Sequence, residues 1–196
     1  MVDKFSNFVV LRLIKNDLII EEDAEIYAFG LRQSLKYLVF LLICSLIGIM
    51  MHNFVGTIFF LFCFVPLRNM TGGFHLQDEF SCFLLSVFTV GIYSFVQSFL
   101  MTSNTWRIAL LILLLAIFQL ILPLVDHTNK PIDDTDFKIF QSFKFKVVII
   151  EVAIGLIASK LQFELMSSTI LVVLGFNSVS NLLGLIHKRS LRRHPN

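Results

Sequence analysis

Long apolar stretches separated by short polar segments dominate this sequence of 196 residues. They cover residues 35–51, 53–67, 80–101, 106–125, 147–159 and 161–186. The chain is 56% hydrophobic and 15% charged, whereas soluble domains are roughly half apolar and a quarter charged. An apolar helix of about 20 residues spans the hydrocarbon core of a bilayer. The pattern therefore predicts an all-α, polytopic membrane protein with about six transmembrane helices.

The segments around these stretches complete the predicted organisation. Residues 3–20 have the pattern of an amphipathic helix, which either lies in the membrane interface or packs on the cytoplasmic end of the bundle. Residues 22–34 are expected to form a second short helix. We expect one membrane-embedded domain over 1–196, with interfacial or cytoplasmic helices at 1–34, the bundle at 35–186 and a basic tail at 187–196. Mixed charges in the first 35 residues argue against a cleavable signal peptide.

The positions of the basic residues predict the orientation of the bundle. With six spans and a cytoplasmic N-terminus, all of the 16 Lys and Arg residues except Arg107 and Lys160 fall in cytoplasmic segments. Cytoplasmic loops carry the excess of such residues, so both termini are predicted to be cytoplasmic. His75 and Cys82 then lie on the cytoplasmic side, where thiols stay reduced.

A polar island interrupts the apolar pattern between the second and third stretches. It reads Arg-Asn-Met-Thr-Gly-Gly-Phe-His over residues 68–75 and is followed by Cys82. Pro66 is expected to end the second span just before it, and Cys82 falls in the first turn of the third span. Ionisable residues are costly beside a bilayer, so the island indicates a functional site.

Cys82 and His75 are the candidate nucleophile and general base of a thiol-dependent reaction. A thiol attacks a carbonyl as the thiolate, which a nearby base or a helix N-terminus favours. Seven residues of continuous helix would separate the two side chains by about 10 Å. The chain must therefore bend, or a loop must carry His75 back over the start of the third span. The neighbouring Gly72 and Gly73 favour the loop.

Three residues of the island are candidates for substrate contacts. The backbone N–H groups of Gly72 and Gly73 could form an oxyanion hole or pair with an extended peptide. Arg68 could bind a carboxylate through both arms of its guanidinium group, or could act only as a topology determinant. Asp78 and Glu79 are expected to be solvated loop acids.

The island and its position resemble the accessory gene regulator protein B (AgrB) family of bacterial quorum sensing. The pattern Arg-x-x-x-Gly-Gly-x-His-x-x-x-x-x-x-Cys follows the second of six spans, and Arg68, Gly72, Gly73, His75 and Cys82 all match. Residues 123–131, Pro-Leu-Val-Asp-His-Thr-Asn-Lys-Pro, are similar to a cytoplasmic loop segment of that family.

The resemblance implies a cysteine endopeptidase of the bacterial cell membrane, with its active site on the cytoplasmic side. Cys82 would be the nucleophile and His75 the base that together remove the acidic C-terminal tail of a small amphipathic precursor peptide. The peptide would remain on Cys82 as a thioester until its own cysteine or serine closes a thiolactone or lactone. No cofactor or metal is implied. The expected active unit is a homodimer in contact with membrane lipid.

Basic residues after the fourth span are candidates for holding the acidic tail. They are Lys130, Lys138, Lys144 and Lys146, in a segment predicted to be a charged loop over 126–146. The alternative is that they act only as positive-inside determinants. The net charge of +2 gives no indication of nucleic-acid binding.

A small membrane transporter or carrier component without covalent chemistry is the alternative function. Polar residues in the later spans could line its substrate path, or could only join helices through hydrogen bonds: Glu151, Glu164, Asn177 and Asn181. A metalloprotease is disfavoured, because none of the five histidines belongs to a His-Glu-x-x-His pattern.

Overall fold

The computed structural model describes residues 2–74, 78–100, 104–124 and 134–193. All regular structure in these ranges is helical, which confirms the all-α prediction. The α-helices are α1 (Val2–Lys15), α2 (Ala24–Met50), α3 (Phe54–Thr71), α4 (Glu79–Leu100), α5 (Thr105–Ile121), α6 (Asp134–Lys160) and α7 (Glu164–Arg193). A 3₁₀ turn, Glu21–Asp23, precedes α2.

The N-terminal compact unit, Met1–Leu46, contains α1 and most of α2. Ser6 of α1 donates a hydrogen bond to the Ala28 carbonyl of α2 at 2.7 Å. α1 is helical within the segment predicted at residues 3–20, and it buries Val10 while it exposes Phe5 and Phe8. Its location in the membrane interface or on the end of the bundle stays a prediction. The separate short helix expected at 22–34 is instead continuous with the first apolar span.

The C-terminal compact unit, Ile47–Asn196, is built around α7. α7 packs against α3, α4, α5 and α6. The residues from Ser167 to Leu174 are all buried in this packing. The small hydroxyl residues at the start of this run, Ser167, Ser168 and Thr169, let neighbouring helices approach α7 closely. The Thr169 hydroxyl, for example, donates back to the Leu165 carbonyl at 2.6 Å and is satisfied within its own helix.

A buried polar network joins α3, α4 and α7 near the start of α3. The Asn53 amide donates to the Gln97 side-chain carbonyl at 2.7 Å, and the Gln97 amide donates to the Thr169 hydroxyl at 3.1 Å. The Tyr93 hydroxyl lies 2.9 Å from the same Thr169 oxygen. Satisfied buried networks of this kind make helix contacts rigid. The network fixes these helices at the end opposite to Gly72.

Four helical segments in the described ranges are long and apolar enough to cross a membrane: Glu21–Met50, Phe54–Thr71, Phe80–Leu100 and Glu164–Arg189. Trp106–Ile121 is apolar but shorter. The predicted span at 147–159 forms the second half of α6, whose first half carries lysines. The count of six spans and the cytoplasmic position of both termini stay predictions.

Two sequence-based boundaries are wrong. Pro66 does not end the second span, because α3 continues through it to Thr71; membrane helices tolerate proline where neighbouring groups satisfy the freed carbonyl. The charged loop expected over 126–146 is helical from Asp134 onwards. Phenylalanines at 137, 140 and 143 have helical spacing, which the surrounding charges obscured.

Candidate active site

A turn built on two glycines ends α3 and leads the chain towards α7. Gly72 and Gly73 both have positive φ angles, 71° and 125°, in a region that glycine enters without steric cost. The Gly72 N–H donates to the Arg68 carbonyl at 3.1 Å and closes the helix C-terminus. The chain therefore turns at the two glycines, whereas the predicted loop that carries His75 back over α4 lies outside the described residues. We refer to residues 72–74 as the diglycine segment.

The diglycine segment lies directly on the backbone of α7. The Phe74 N–H donates to the Ser180 carbonyl at 3.0 Å. A Cβ atom at Gly184 would lie 2.7 Å from the Gly73 carbonyl carbon and 2.9 Å from the Phe74 nitrogen, so a larger residue would displace the segment. The Phe74 and His187 rings meet edge-on, with centroids 5.5 Å apart.

Arg68 holds the diglycine segment from the side of α3. One arm of its guanidinium group donates to the Gly72 carbonyl, and the other donates to the Phe74 carbonyl. The side chain is also within electrostatic range of Cys82. The guanidinium fork therefore contacts the protein's own backbone, and its charge lies near the candidate nucleophile.

Cys82 lies in the first turn of α4, as the sequence predicts. Its side chain is partly buried and is not part of a disulfide, and its N–H donates to the Asp78 carbonyl at 3.0 Å. The partial positive charge of a helix N-terminus favours an anion there. The start of α4 and the Arg68 guanidinium group thus both bring positive charge near the Cys82 sulfur, which is the environment typical of a nucleophilic cysteine.

Asp78 caps the helix that carries Cys82. Its carboxylate accepts hydrogen bonds from the Ser81 N–H at 2.8 Å and from the Ser81 hydroxyl at 2.9 Å. These bonds lower the pKa of the exposed Asp78 carboxyl. A lowered pKa means that the cap is fully formed at neutral pH and is lost only as pH falls through the lowered value. Asp78 is therefore exposed, as expected for a solvated loop acid, and it also acts as the N-cap of α4.

Two of the sequence-predicted site residues, His75 and Lys130, lie outside the described residues. Lys138 and Lys146 are exposed on α6. Lys144 is buried, and its ammonium group donates to the Leu122 carbonyl at 2.5 Å. Burial lowers the pKa of this ammonium group.

An open groove of about 540 Å³ lies beside these lysines, between the end of α5 and the start of α6. Its walls combine basic, polar and aromatic side chains: Leu120, Phe137, Lys138, Gln141, Ser142, Lys144 and Phe145. In the described part of the chain, no group of three or more His, Cys, Asp or Glu residues could hold a metal ion.

The family model of accessory gene regulator B matches residues 6–181 of this chain. The protein belongs to the accessory gene regulator B family. The match includes the whole of the Arg68–Cys82 region, and the family is one of quorum sensing. The family match and the long apolar helices together indicate that this AgrB-family chain is a membrane protein. Nothing among curated proteins or solved structures matches the chain significantly.

Sequence reasoning missed the contribution of α7 to the site of this AgrB-family protein. Ser180 and Gly184 hold the diglycine segment, yet neither residue type is unusual in an apolar helix. One usable signal was present, since Asn177, Asn181 and Gly184 recur at the spacing of one helix face.

We expect Gly184→Ala to displace the diglycine segment, because the added Cβ atom would overlap its backbone. The free energy of unfolding should fall by about 1–3 kcal/mol, as for other overpacked sites. Gly91→Ala is the matched control, since nothing lies within 4 Å of a Cβ atom there. Thermal unfolding in detergent measures both variants. Equal stability of the two would contradict the close approach to α7.

We expect Arg68→Gln to slow alkylation of Cys82 at pH 7 several-fold, because the negative charge on the attacking sulfur loses a nearby positive charge. Arg68→Lys keeps the charge without the guanidinium fork and should be less impaired. Alkylation is followed by mass spectrometry in a background where Cys44 and Cys63 are replaced by alanine. Unchanged alkylation of Arg68→Gln would show that Arg68 has no electrostatic effect on the thiol.

Proposed function

We propose that this protein is a membrane cysteine peptidase that removes the C-terminal tail of a small quorum-sensing precursor peptide and promotes cyclisation of the remainder. One observation carries the proposal: the Cys82 side chain lies at a helix N-terminus, within electrostatic range of Arg68. Family membership supports the biological setting.

In this proposal His75 is the general base. It follows the diglycine segment directly in the sequence, and it matches the histidine of the family pattern. The two hydrogen bonds that Arg68 donates to that segment hold it to the end of α3 and support a fixed approach of the chain to His75. Positioning of this kind is what a base needs to accept a proton from a thiol.

The proposed roles of Arg68 and the glycines follow from the groups they already contact. A substrate carboxylate would have to compete with two backbone carbonyls for the Arg68 guanidinium group. We therefore assign to Arg68 the tasks of holding the diglycine segment and of placing a positive charge near the attacking sulfur. The Gly72 N–H is engaged by the Arg68 carbonyl, so Gly73 is the better candidate for an oxyanion donor.

The proposed reaction has two acyl-transfer steps. The Cys82 thiolate attacks the scissile carbonyl, the C–N bond breaks, and the leaving amine takes the proton that His75 accepted from the thiol. A cysteine or serine of the precursor then gives up its proton and attacks the thioester, which closes the ring and returns the Cys82 thiol. Transfer between two thiols is nearly isoenergetic, so the site must exclude water that would hydrolyse the thioester.

Substrate recruitment is proposed to be electrostatic. Lys138 borders the groove between α5 and α6, and Lys146 is exposed on the same helix, so both could contact an acidic tail. Lys144 is engaged by the Leu122 carbonyl and would act on the tail only through its charge. An amphipathic precursor would share the membrane interface with the enzyme, which raises its local concentration. We also propose that the site faces the cytoplasm and that the active unit is a homodimer.

A transporter without covalent chemistry is the second candidate. It is favoured by the buried Glu151, whose two carboxylate oxygens have no hydrogen-bond partner in the described part of the chain. Unpaired carboxyl groups inside membrane proteins often mark substrate or proton pathways. The two functions differ in their need for the Cys82 thiol.

We expect release of the precursor tail by the wild type and not by Cys82→Ala or His75→Ala. The precursor encoded by the short open reading frame expected beside this gene is co-expressed, and mass spectrometry follows the tail. Cys63→Ala is the matched control, because Cys63 is a buried thiol within α3. Equal tail release by Cys82→Ala would exclude the peptidase mechanism and favour the transporter.

We expect Lys130→Glu to slow tail release more than Lys188→Glu, because only the first lies in the segment proposed to recruit the acidic tail. Added salt should weaken the effect, since exposed charges are screened. Initial rates at two salt concentrations measure both variants. Equal rates would remove the recruitment hypothesis and leave these residues as topology determinants.

A further inference from the structure

Asn181 of α7 is a fully buried side chain whose carboxamide has no hydrogen-bond partner. Both its nitrogen and its oxygen are unpaired within the described residues. Its neighbours on α7 each have at least one partner: Ser178 donates to Gln119 of α5 at 2.9 Å, and the Asn177 side-chain oxygen accepts from the Thr71 hydroxyl at 3.1 Å, although the Asn177 nitrogen is also unpaired within the described residues. Those residues join helices, whereas Asn181 joins none.

Asn181 lies beside the diglycine segment. Asn177, one turn earlier on α7, meets Thr71 at the end of α3. Gly184, three residues later, meets the backbone of Gly73 and Phe74. Residues three and four apart share a helix face, so Asn181 lies between these two contacts on the face that the site covers.

An unpaired buried carboxamide is costly at this position. Each buried donor or acceptor without a partner costs about 1–3 kcal/mol, and an apolar side chain of similar shape avoids that cost. More than about nine in ten buried polar groups are satisfied in folded proteins. The stability of the ligand-free protein therefore does not explain why position 181 is an asparagine. A bound ligand that forms hydrogen bonds with the carboxamide would explain it.

We propose that Asn181 is a substrate-positioning residue whose carboxamide pairs with a peptide group of the precursor main chain near the scissile bond. This inference rests on the proposed function. A carboxamide presents a donor and an acceptor side by side, and so does a peptide group, whatever its side chains. The pairing would hold an extended segment of precursor against α7, at the diglycine segment that Arg68 links to Cys82.

Access to Asn181 requires the diglycine segment to move away from α7. On that side the segment is held by the hydrogen bond from the Phe74 N–H to the Ser180 carbonyl. The positive φ angles of Gly72 and Gly73 make this turn the natural point of movement. The precursor main chain would replace the segment on the surface of α7.

The test uses Asn181→Leu, which keeps the side-chain shape and removes both polar atoms. We expect its thermal stability in detergent to equal or exceed that of the wild type. We expect kcat/KM for tail release from a synthetic precursor to fall roughly tenfold to a hundredfold, mainly because KM rises. This is the range expected for the loss of one or two hydrogen bonds. The rate of Cys82 alkylation should stay unchanged.

Ser94→Ala is the matched control. Ser94 is also buried, its hydroxyl is unpaired, and it lies twelve residues from Cys82 on α4, which is about 18 Å along the helix. Its removal should maintain or raise stability without changing tail release. Asn181→Ala is the second variant. When it is added to the inactive Cys82→Ala protein, the affinity for the precursor should fall by a similar factor.

A fall in stability for Asn181→Leu, or wild-type kcat/KM in both Asn181 variants, would overturn the inference and leave the proposed function intact. Absence of tail release by the wild type would overturn the proposed function and this inference with it. A lower affinity of the Asn181 variants in the Cys82→Ala background, with normal alkylation of Cys82 in the active protein, supports the positioning role.

Discussion

The pair of hydrogen bonds from Arg68 to the Gly72 and Phe74 carbonyls is the contact on which the candidate site depends. It ties the end of α3 to a segment that also rests on α7. Burying part of a guanidinium group is costly unless its donors are satisfied, and here the backbone satisfies them. The same charge lies within electrostatic range of Cys82, so one side chain links the shape of the site to the reactivity of its thiol.

Helix ends supply the polar groups of the site in an otherwise apolar protein. α3 contributes its C-terminus, α4 contributes an N-terminus capped by Asp78, and α7 contributes a backbone carbonyl together with a glycine surface. Unsatisfied N–H and C=O groups occur only at helix termini. The polar groups at these ends therefore supply most of the site, and Arg68 in the last turn of α3 adds its only charged side chain from a described span.

The sequence predicts local features of this protein better than contacts between distant helices. Cys82 in the first turn of α4 and the turn at Gly72 follow from neighbouring residues and are confirmed. The passage of α3 through Pro66 could not be predicted, because a proline removes one helical hydrogen bond and the local sequence does not show that the helix continues despite this loss. The contacts of Ser180 and Gly184 with residues more than a hundred positions away, and the inward turn of Lys144, leave no signal in local composition.

The central claim is that Cys82 carries the precursor as a thioester. The most direct measurement is the mass of the intact protein after brief mixing with its precursor, before and after treatment with hydroxylamine. The expected result is an adduct of the tail-less precursor on Cys82 that hydroxylamine removes. The Cys82→Ser variant has no thiol at this position and should not form this thioester adduct. Release of the tail by the Cys82→Ala protein, or an adduct that maps to another residue, would contradict it.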